Sequence, residues 1–189
     1  NKVSCLIGTS VKTNDVQVKV LGFGQHASIG ISNGLITNMN EIANSIARAV
    51  EGAETMAGFP IKKVVCSLSG GRPITKIIRN QLKIDSGRVM KSDIIKIHKI
   101  NDLIEIDNYT PLSVTPIKYY IDKNSPVDNP IGMHTDNLTL DTSITYGKKN
   151  VMQNFASAIE LCHLSAEKFI ISPEASGVST LTKDERDHG

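Results

Sequence analysis

Two runs of alternating apolar and polar residues open the chain. Apolar side chains occupy every second position of residues 3–7 and of residues 16–20, and turn-forming residues 13–15 lie between the runs. Alternation over two short runs joined by a turn predicts a β-hairpin. Glycine then becomes frequent, at Gly22, Gly24, Gly30 and Gly34.

The next segment has the clearest helical pattern. Apolar residues recur at spacings of three and four within residues 42–57, which places them on one helix face. Asn38 is the expected N-cap, and Glu41 is expected to complete a capping box with it. Gly58 is expected to end the helix, and a short apolar strand follows at residues 62–67.

Strand-like runs and one short helix alternate within residues 74–146. Residues 77–84, 112–121 and 138–144 are predicted strands, and Ser92 is predicted to cap the helix. The second strand contains two prolines, which favour a sheet edge or a β-bulge because proline has no N–H to donate. These prolines are Pro111 and Pro116.

A helix and a buried strand are predicted again near the C-terminal end. Residues 151–162 carry a one-faced apolar stripe, and residues 166–172 form an apolar run that Pro173 is expected to end. The order is therefore α/β, then a β-rich stretch, then α/β. Neither flank alone has enough strands to cover its helices, so we infer that the flanks pair in space around an inserted domain.

The composition is that of a globular protein. Of the 189 residues 40% are hydrophobic, and the net charge is +2. These values exclude wholesale disorder and do not indicate nucleic acid or an anionic membrane as the main partner. No apolar run approaches the ~20 residues of a membrane-spanning helix. Cys5, Cys66 and Cys162 are far apart and form no CxxC pair, which argues against a disulfide scaffold or zinc site.

The residues form no self-contained catalytic or metal-binding constellation. The five histidines lack metal-motif spacing, and Ser69 lacks the nucleophile-elbow context. Cys162 and His163 are neighbours, so on a helix their side chains would point about 100° apart. We expect the glycines to serve turns and close backbone approach. Glu174 follows a predicted strand end, where ligands bind in α/β domains, and is a candidate for a ligand cleft.

The glycine-rich stretch resembles the FtsA family of bacterial cell-division proteins. Residues 22–41 read GFGQHASIGISNGLITNMNE, which fits the family pattern G-x-G-x-x-x-S-x-G-x-x-x-G-x-[IV]-x-[ND]-x-x-E at every position. Further resemblances to the family follow in order along the chain. They lie at residues 53–58, 65–70, 129–133, 160–164 and 182–189.

The resemblance implies an α/β fold of the actin, Hsp70 and sugar kinase superfamily, with a ribonuclease-H-like core. Residues 1–70 and 147–189 would be parts of domain 1A, here incomplete. Residues 71–146 would be the inserted α+β domain 1C, which is SHS2-like. By this resemblance the chain is expected to be an N-terminal fragment of a two-lobed protein.

The resemblance also implies that the intact protein binds ATP and Mg²⁺ between two lobes. The aspartate, glycine and hydroxyl positions of its first phosphate loop would lie before Asn1, and its second phosphate loop would lie after Gly189, so tight ATP binding by this chain is not expected. Lys2, which aligns with the last position of the first loop, and Glu174 are the cofactor-binding candidates. No catalytic residue and no metal ligand is expected, and the chain is expected not to be an enzyme.

FtsA proteins tether the FtsZ ring to the inner membrane, recruit later division proteins and self-associate. The resemblance therefore implies a protein of the cytoplasmic membrane face at the division site, whose membrane-binding C-terminal helix is not in this chain. We expect the chain to retain the protein-interaction role of domain 1C, through exposed residues such as Arg79, Lys83 and Lys118. The alternatives are a pilus-assembly adaptor of the same superfamily and a nucleotide-dependent ATPase in the intact chain.

Overall fold

The chain forms two compact units in a computed structural model that describes residues 2–12, 16–101, 106–122, 125–182 and 184–185. The first unit combines residues 1–71 with 150–189, and the inserted unit comprises residues 72–149. The predicted hairpin turn at residues 13–15 and most of the 182–189 segment lie outside the described residues.

Ten strands and four helices make up the described part of the chain. They are β1 (Lys2–Lys12), β2 (Val16–Ala27), β3 (Ile31–Ser32), β4 (Leu35–Ile36), α1 (Met39–Ala57), β5 (Lys63–Leu68), β6 (Ile74–Lys83), α2 (Lys91–Asn101), β7 (Tyr109–Ile121), β8 (Ser125–Val127), β9 (Asn137–Lys148), α3 (Lys149–Glu160), β10 (Ser165–Ile171) and α4 (Ser172–Thr180).

In the first unit, β1 and β2 form the predicted antiparallel hairpin, and α1 packs against it. Two glycines of β2 allow this close packing. A Cβ at Gly22 would lie 2.1 Å from the carbonyl oxygen of Ala53, and one at Gly24 would lie 2.0 Å from that of Ala49. These glycines therefore serve close backbone approach, as the sequence predicts.

The ends of α1 are fixed by residues that the sequence identifies. The side chain of Asn38 accepts hydrogen bonds from two backbone N–H groups in the first turn, and Gly58 ends the helix with φ of 83°. The second half of the predicted capping box is wrong. The N–H of Asn38 donates to the carbonyl of Gly30 at 3.2 Å instead of to Glu41.

The remaining strands of the first unit form two further pairs. β3 and β4 are a small antiparallel hairpin, and β5 pairs in parallel with β10. Helix α4 follows β10 directly and was not predicted, because Pro173 reads as a breaker. Proline is tolerated in the first turn of a helix, where its missing N–H has no partner to lose.

In the inserted unit, four antiparallel strands form one sheet in the order β6-β9-β7-β8. The register of β7 against β9 shifts beside each proline, between Pro111 and Ser113 and between Pro116 and Lys118. Of the two predicted alternatives, a sheet edge or a β-bulge, the structure shows a bulge beside each proline. The bulges occur where proline withdraws a donor from the ladder.

One face of this sheet is covered by α2. The buried cluster of this layer consists of Ile84, Val89, Ile97, Leu138 and Leu140. The predicted cap at Ser92 is wrong, because α2 begins one residue earlier. Asp93 accepts a hydrogen bond from the N–H of Met90 at 2.9 Å and closes the first turn.

The fold class predicted from the sequence is confirmed as an α/β chain with an inserted α+β unit. None of the helices in the described ranges is both long enough and apolar enough to cross a membrane.

Candidate functional sites

The first candidate site lies where the parallel strands β5 and β10 end. Parallel strands place their carboxyl ends at the same sheet edge, so Ser67, Ser69 and Ser172 meet there. The hydroxyl of Ser172 lies 2.8 Å from that of Ser67 and 3.1 Å from that of Ser69. These three hydroxyls form one small hydrogen-bond network at the start of α4.

Glu174 lies in the first turn of α4, next to this serine network in sequence. One of its carboxyl oxygens, Oε2, is buried and has no hydrogen-bond partner among the described residues. A buried acceptor without a donor costs about 1–3 kcal/mol. The arrangement can therefore accept a hydroxyl donor or a hydrated cation from outside the chain, whereas a carboxylate repels phosphate oxygens.

Two glycine motifs that are distant in sequence meet beside this edge. A Cβ at Gly34 would lie 2.4 Å from the Cα of Gly70, and Gly34 has φ of 72°. Gly34 belongs to the glycine-rich stretch, and Gly70 belongs to the loop after β5. The sequence reasoning missed this contact, since neither spacing nor periodicity indicates which distant glycines pack together.

Lys2, the other cofactor-binding candidate, begins β1 and pairs with Ala27 at the end of β2. Its side chain is exposed, and no described contact joins it to Glu174. The described residues also contain no group of three or more His, Cys, Asp or Glu side chains arranged to hold a metal ion.

A shallow pocket of about 380 Å³ opens beside the N-terminal half of α1. Its lining includes His26, Arg48 and Ser45, of which Ser45 is buried. The hydroxyl of Ser45 donates to the carbonyl of Glu41 at 3.0 Å and accepts from the N–H of Ile29 at 3.3 Å. The hydroxyl is thus engaged in fixing the chain before α1, and the pocket offers no directed donor from this residue.

The second candidate site is the sheet face of the inserted unit opposite α2. Arg79 of β6 donates two hydrogen bonds of 2.6 Å each to the carboxylate of Asp141 on the neighbouring strand β9. Its guanidinium carbon lies 4.8 Å from the ring centre of Tyr120 on β7. The Arg79 guanidinium lowers the pKa of Asp141, because it donates to the charged carboxylate.

The other two predicted contact residues differ in their surroundings. Lys118 is half-buried and donates to Asp128 at 2.5 Å, which lowers the pKa of that carboxyl. Lys83, at the end of β6, is exposed and makes no described ion pair. Arg79 and Lys118 are therefore already neutralised by carboxylates within the unit, whereas Lys83 presents its charge to solvent.

On the covered side of the sheet, His98 of α2 contacts Tyr119 of β7. The ring nitrogen Nε2 lies 2.6 Å from the tyrosine hydroxyl, and burial raises the pKa of Tyr119. This pair joins helix to sheet next to the apolar cluster, so its role is structural.

Comparison with known proteins agrees with the division into units. Residues 70–146 match the family described as "SHS2 domain inserted in FTSA". Along its whole length the chain is 32% identical to the cell division protein FtsA of Neisseria meningitidis and covers 45% of that protein. The predicted resemblance to FtsA is confirmed.

Other FtsA proteins match over the same extent. The FtsA of Buchnera aphidicola is 32% identical over 97% of the chain, and that of Escherichia coli is 27% identical over all of it. In both cases 44% of the FtsA relative is covered. This FtsA-like chain thus spans less than half the length of the curated relatives it matches.

A solved structure supports the same architecture. A chain of the "PilM-PilN type IV pilus biogenesis complex" superposes with a TM-score of 0.57 over 94% of this chain and 46% of the other. Sequence identity is 10%, so this likeness concerns the fold alone.

Proposed function

We propose that this chain acts in bacterial cell division as part of an FtsA-like adaptor. The observation that supports the proposal best is the match to FtsA over the entire chain at 32% identity, with the inserted SHS2 domain in place. In this role the whole protein would tether FtsZ to the cytoplasmic membrane at the division site and recruit later division proteins.

Within the adaptor, the inserted unit would provide a surface for partner proteins or for a second FtsA-like subunit. Its sheet has α2 on one face, while the Arg79–Asp141 pair lies on the other. Ile77 is 70% exposed next to this pair. An exposed apolar residue beside fixed polar groups is typical of protein contact surfaces.

We also propose that the whole protein binds ATP with Mg²⁺, to which this chain contributes Lys2 and Glu174. The free carboxyl oxygen of Glu174 fits a hydroxyl of the nucleotide or a water bound to Mg²⁺, and the exposed ammonium of Lys2 fits a phosphate. Bound Mg²⁺ would supply charge neutralisation for the phosphates. The serine network at the end of β5 and β10 would fix the start of α4 and hence the position of Glu174.

The adaptor proposal is tested by capture of division proteins from the host on the immobilised chain. We expect a later division protein to be retained and Lys83→Glu to weaken retention without changing the melting temperature. Lys168→Glu is the matched control, because it reverses an exposed lysine of the first unit. Retention that is equal for all three chains would contradict the proposed contact role of Lys83, and retention of no division protein would contradict the proposed adaptor role.

The nucleotide proposal places ATP binding in the whole protein and not in this chain alone. Isothermal titration of the 189-residue chain with Mg-ATP is expected to give no micromolar binding, since most of the first phosphate loop and all of the second are expected outside it. Micromolar binding by the chain would contradict this assignment.

A further inference from the structure

The outer edge of β6 is an open strand edge. β6 pairs with β9 over its full length, from Ile74 to Lys83, without a register shift. It is the first strand of the sheet, and no other strand in the described ranges pairs with it. Unpaired N–H and C=O groups on such an edge can pair with another extended chain.

One hydrogen bond shows which backbone groups point outward. The N–H of Ile84, directly after β6, donates to the carbonyl of Asp136 at 2.9 Å. Hydrogen-bonded pairs alternate along an antiparallel ladder, so the even-numbered residues of β6 bond to β9. The odd-numbered residues direct their N–H and C=O groups to the free edge. These are Thr75, Ile77, Arg79, Gln81 and Lys83.

The opposite edge of the same sheet is built differently. β8 has three residues and contains Pro126, and the neighbouring part of β7 carries Pro111 and Pro116 with two bulges. Short strands, prolines and bulges are the usual devices that prevent strand addition. β6 has ten residues, with no proline and no bulge. Strand addition is therefore obstructed at one edge and open at the other.

The side chains of β6 indicate which partner fits. The strand ITKIIRNQLK contains three basic residues and no acidic one. Arg79 is paired with Asp141, but Lys76 and Lys83 are exposed and make no ion pair in the described part of the chain. Ile77 adds an apolar side chain that is 70% exposed. Charge complementarity thus favours an acidic strand with one apolar residue.

We propose that β6 binds an extended acidic segment of a partner protein, which adds an antiparallel fifth strand to the sheet. This deepens the adaptor proposal above and rests on it for its cellular setting. The partner would carry an acidic residue opposite Lys83. Six positions later it would carry an apolar residue opposite Ile77, and directly after that a second acidic residue opposite Lys76. The two lysines lie seven residues apart, about 24 Å along a strand.

A fluorescein-labelled synthetic peptide with these three residues on a threonine background tests the proposal by fluorescence polarisation. We expect saturable binding to the 189-residue chain at micromolar concentration. Gln81→Pro removes an outward N–H and leaves the ladder to β9 intact, so binding should weaken about tenfold. The double variant Lys76→Glu, Lys83→Glu should weaken it at least as much, whereas Lys91→Glu, Lys149→Glu reverses two exposed charges elsewhere and should leave it unchanged.

N-methylated peptides test the backbone pairing without altering the protein. Methylation of the peptide amides that face the odd-numbered residues of β6 should abolish binding, and methylation of the alternate amides should preserve it.

Loss of binding with both peptides, or no saturable binding of the unmethylated peptide, would overturn the proposal. Sedimentation velocity could also show that the chain dimerises and that Gln81→Pro dissociates the dimer. That result would overturn the proposal, because it would assign the edge to a second copy of the chain. Capture of a division protein without peptide binding would contradict the edge proposal alone, and peptide binding without such capture would contradict the adaptor proposal alone.

Discussion

The contact between β2 and α1 makes Gly24 a position where one methyl group has a large effect. A Cβ there would lie 2.0 Å from the Ala49 oxygen and 2.6 Å from the Ala53 nitrogen. Both atoms belong to the helix backbone and cannot rotate away. In Gly24→Ala the helix must move off the hairpin by more than about 1 Å to restore ordinary contact distances.

The expected cost follows from this overlap. Overpacking of a close-packed core costs about 1–3 kcal/mol, and a clash with backbone belongs at the upper end. We therefore expect Gly24→Ala to lower the free energy of unfolding by about 3 kcal/mol. For a chain of this length that corresponds to a fall in Tm of about 6–12 °C.

Urea and thermal unfolding followed by circular dichroism measure this effect, since the chain contains no tryptophan. Gly177→Ala in α4 is the matched control, because its Cβ would meet Leu181 at an ordinary 3.9 Å. Removal of a glycine from a helix interior should stabilise the chain by about 0.5–1 kcal/mol. If the free energy of unfolding of Gly24→Ala lies within about 0.5 kcal/mol of that of the parent chain, α1 does not approach β2 as closely as described.

Three further predictions concern ionisable groups. Arg79 lowers the pKa of Asp141, so this carboxylate stabilises the fold at pH values above its unfolded pKa of ~3.9. The contribution is lost as the pH falls below that value. Tm measured against pH should therefore fall less steeply in this acidic range for Asp141→Asn than for the parent chain. Burial, with a smaller contribution from Cys5, raises the pKa of Cys66 to about 11. Alkylation of Cys66 by iodoacetamide at pH 8, measured by peptide mass spectrometry, should therefore be about two orders of magnitude slower than that of an unperturbed thiol. A rate equal to that of an unperturbed thiol would refute this. Glu174→Leu removes a buried oxygen without a partner and should raise the free energy of unfolding by about 1 kcal/mol in urea titration, and a loss of stability would show that the carboxylate has a partner.

The elements that the sequence predicts well are those with long, regular patterns. α1 has an apolar stripe over about four turns. A side-chain cap at Asn38 and a glycine end at Gly58 flank it, so local chemistry determines both ends. β6 and β9 also form where the sequence predicts strands. β6 begins three residues before its predicted start and ends one residue before its predicted end, whereas β9 extends beyond its predicted bounds on both sides. Here local propensity and burial favour the same structure.

The errors occur where a local signal has two meanings. Pro173 lies two residues after the end of a strand and in the first turn of a helix, and the short sequence of α4 has little apolar periodicity to decide between a break and a helix start. The stripe through Cys162 predicts a longer α3 than the structure has. The helix ends at Glu160, and the chain turns through His163 at φ of 59°, which places the Cys162 thiol 3.2 Å from the Ala43 carbonyl to which it donates.

The candidate site was predicted only in part. The position of Glu174 after a strand is visible in the sequence, because the apolar run of β10 ends just before it. Its buried oxygen is not visible there, since burial depends on how α4 packs on β10 and β5. Likewise, the free edge of β6 depends on the strand order, which long-range pairing determines.

The central proposal is that this chain is part of a division adaptor in which residues 72–149 serve partner contacts. Its most direct test is imaging of the full-length protein as a fluorescent fusion, with and without residues 72–149, in cells with labelled FtsZ. The account predicts that the intact fusion colocalises with FtsZ at the division site, and that the deleted fusion still reaches this site but fails to recruit later division proteins. An intact fusion that does not colocalise with FtsZ, or full recruitment by the deleted one, would contradict it.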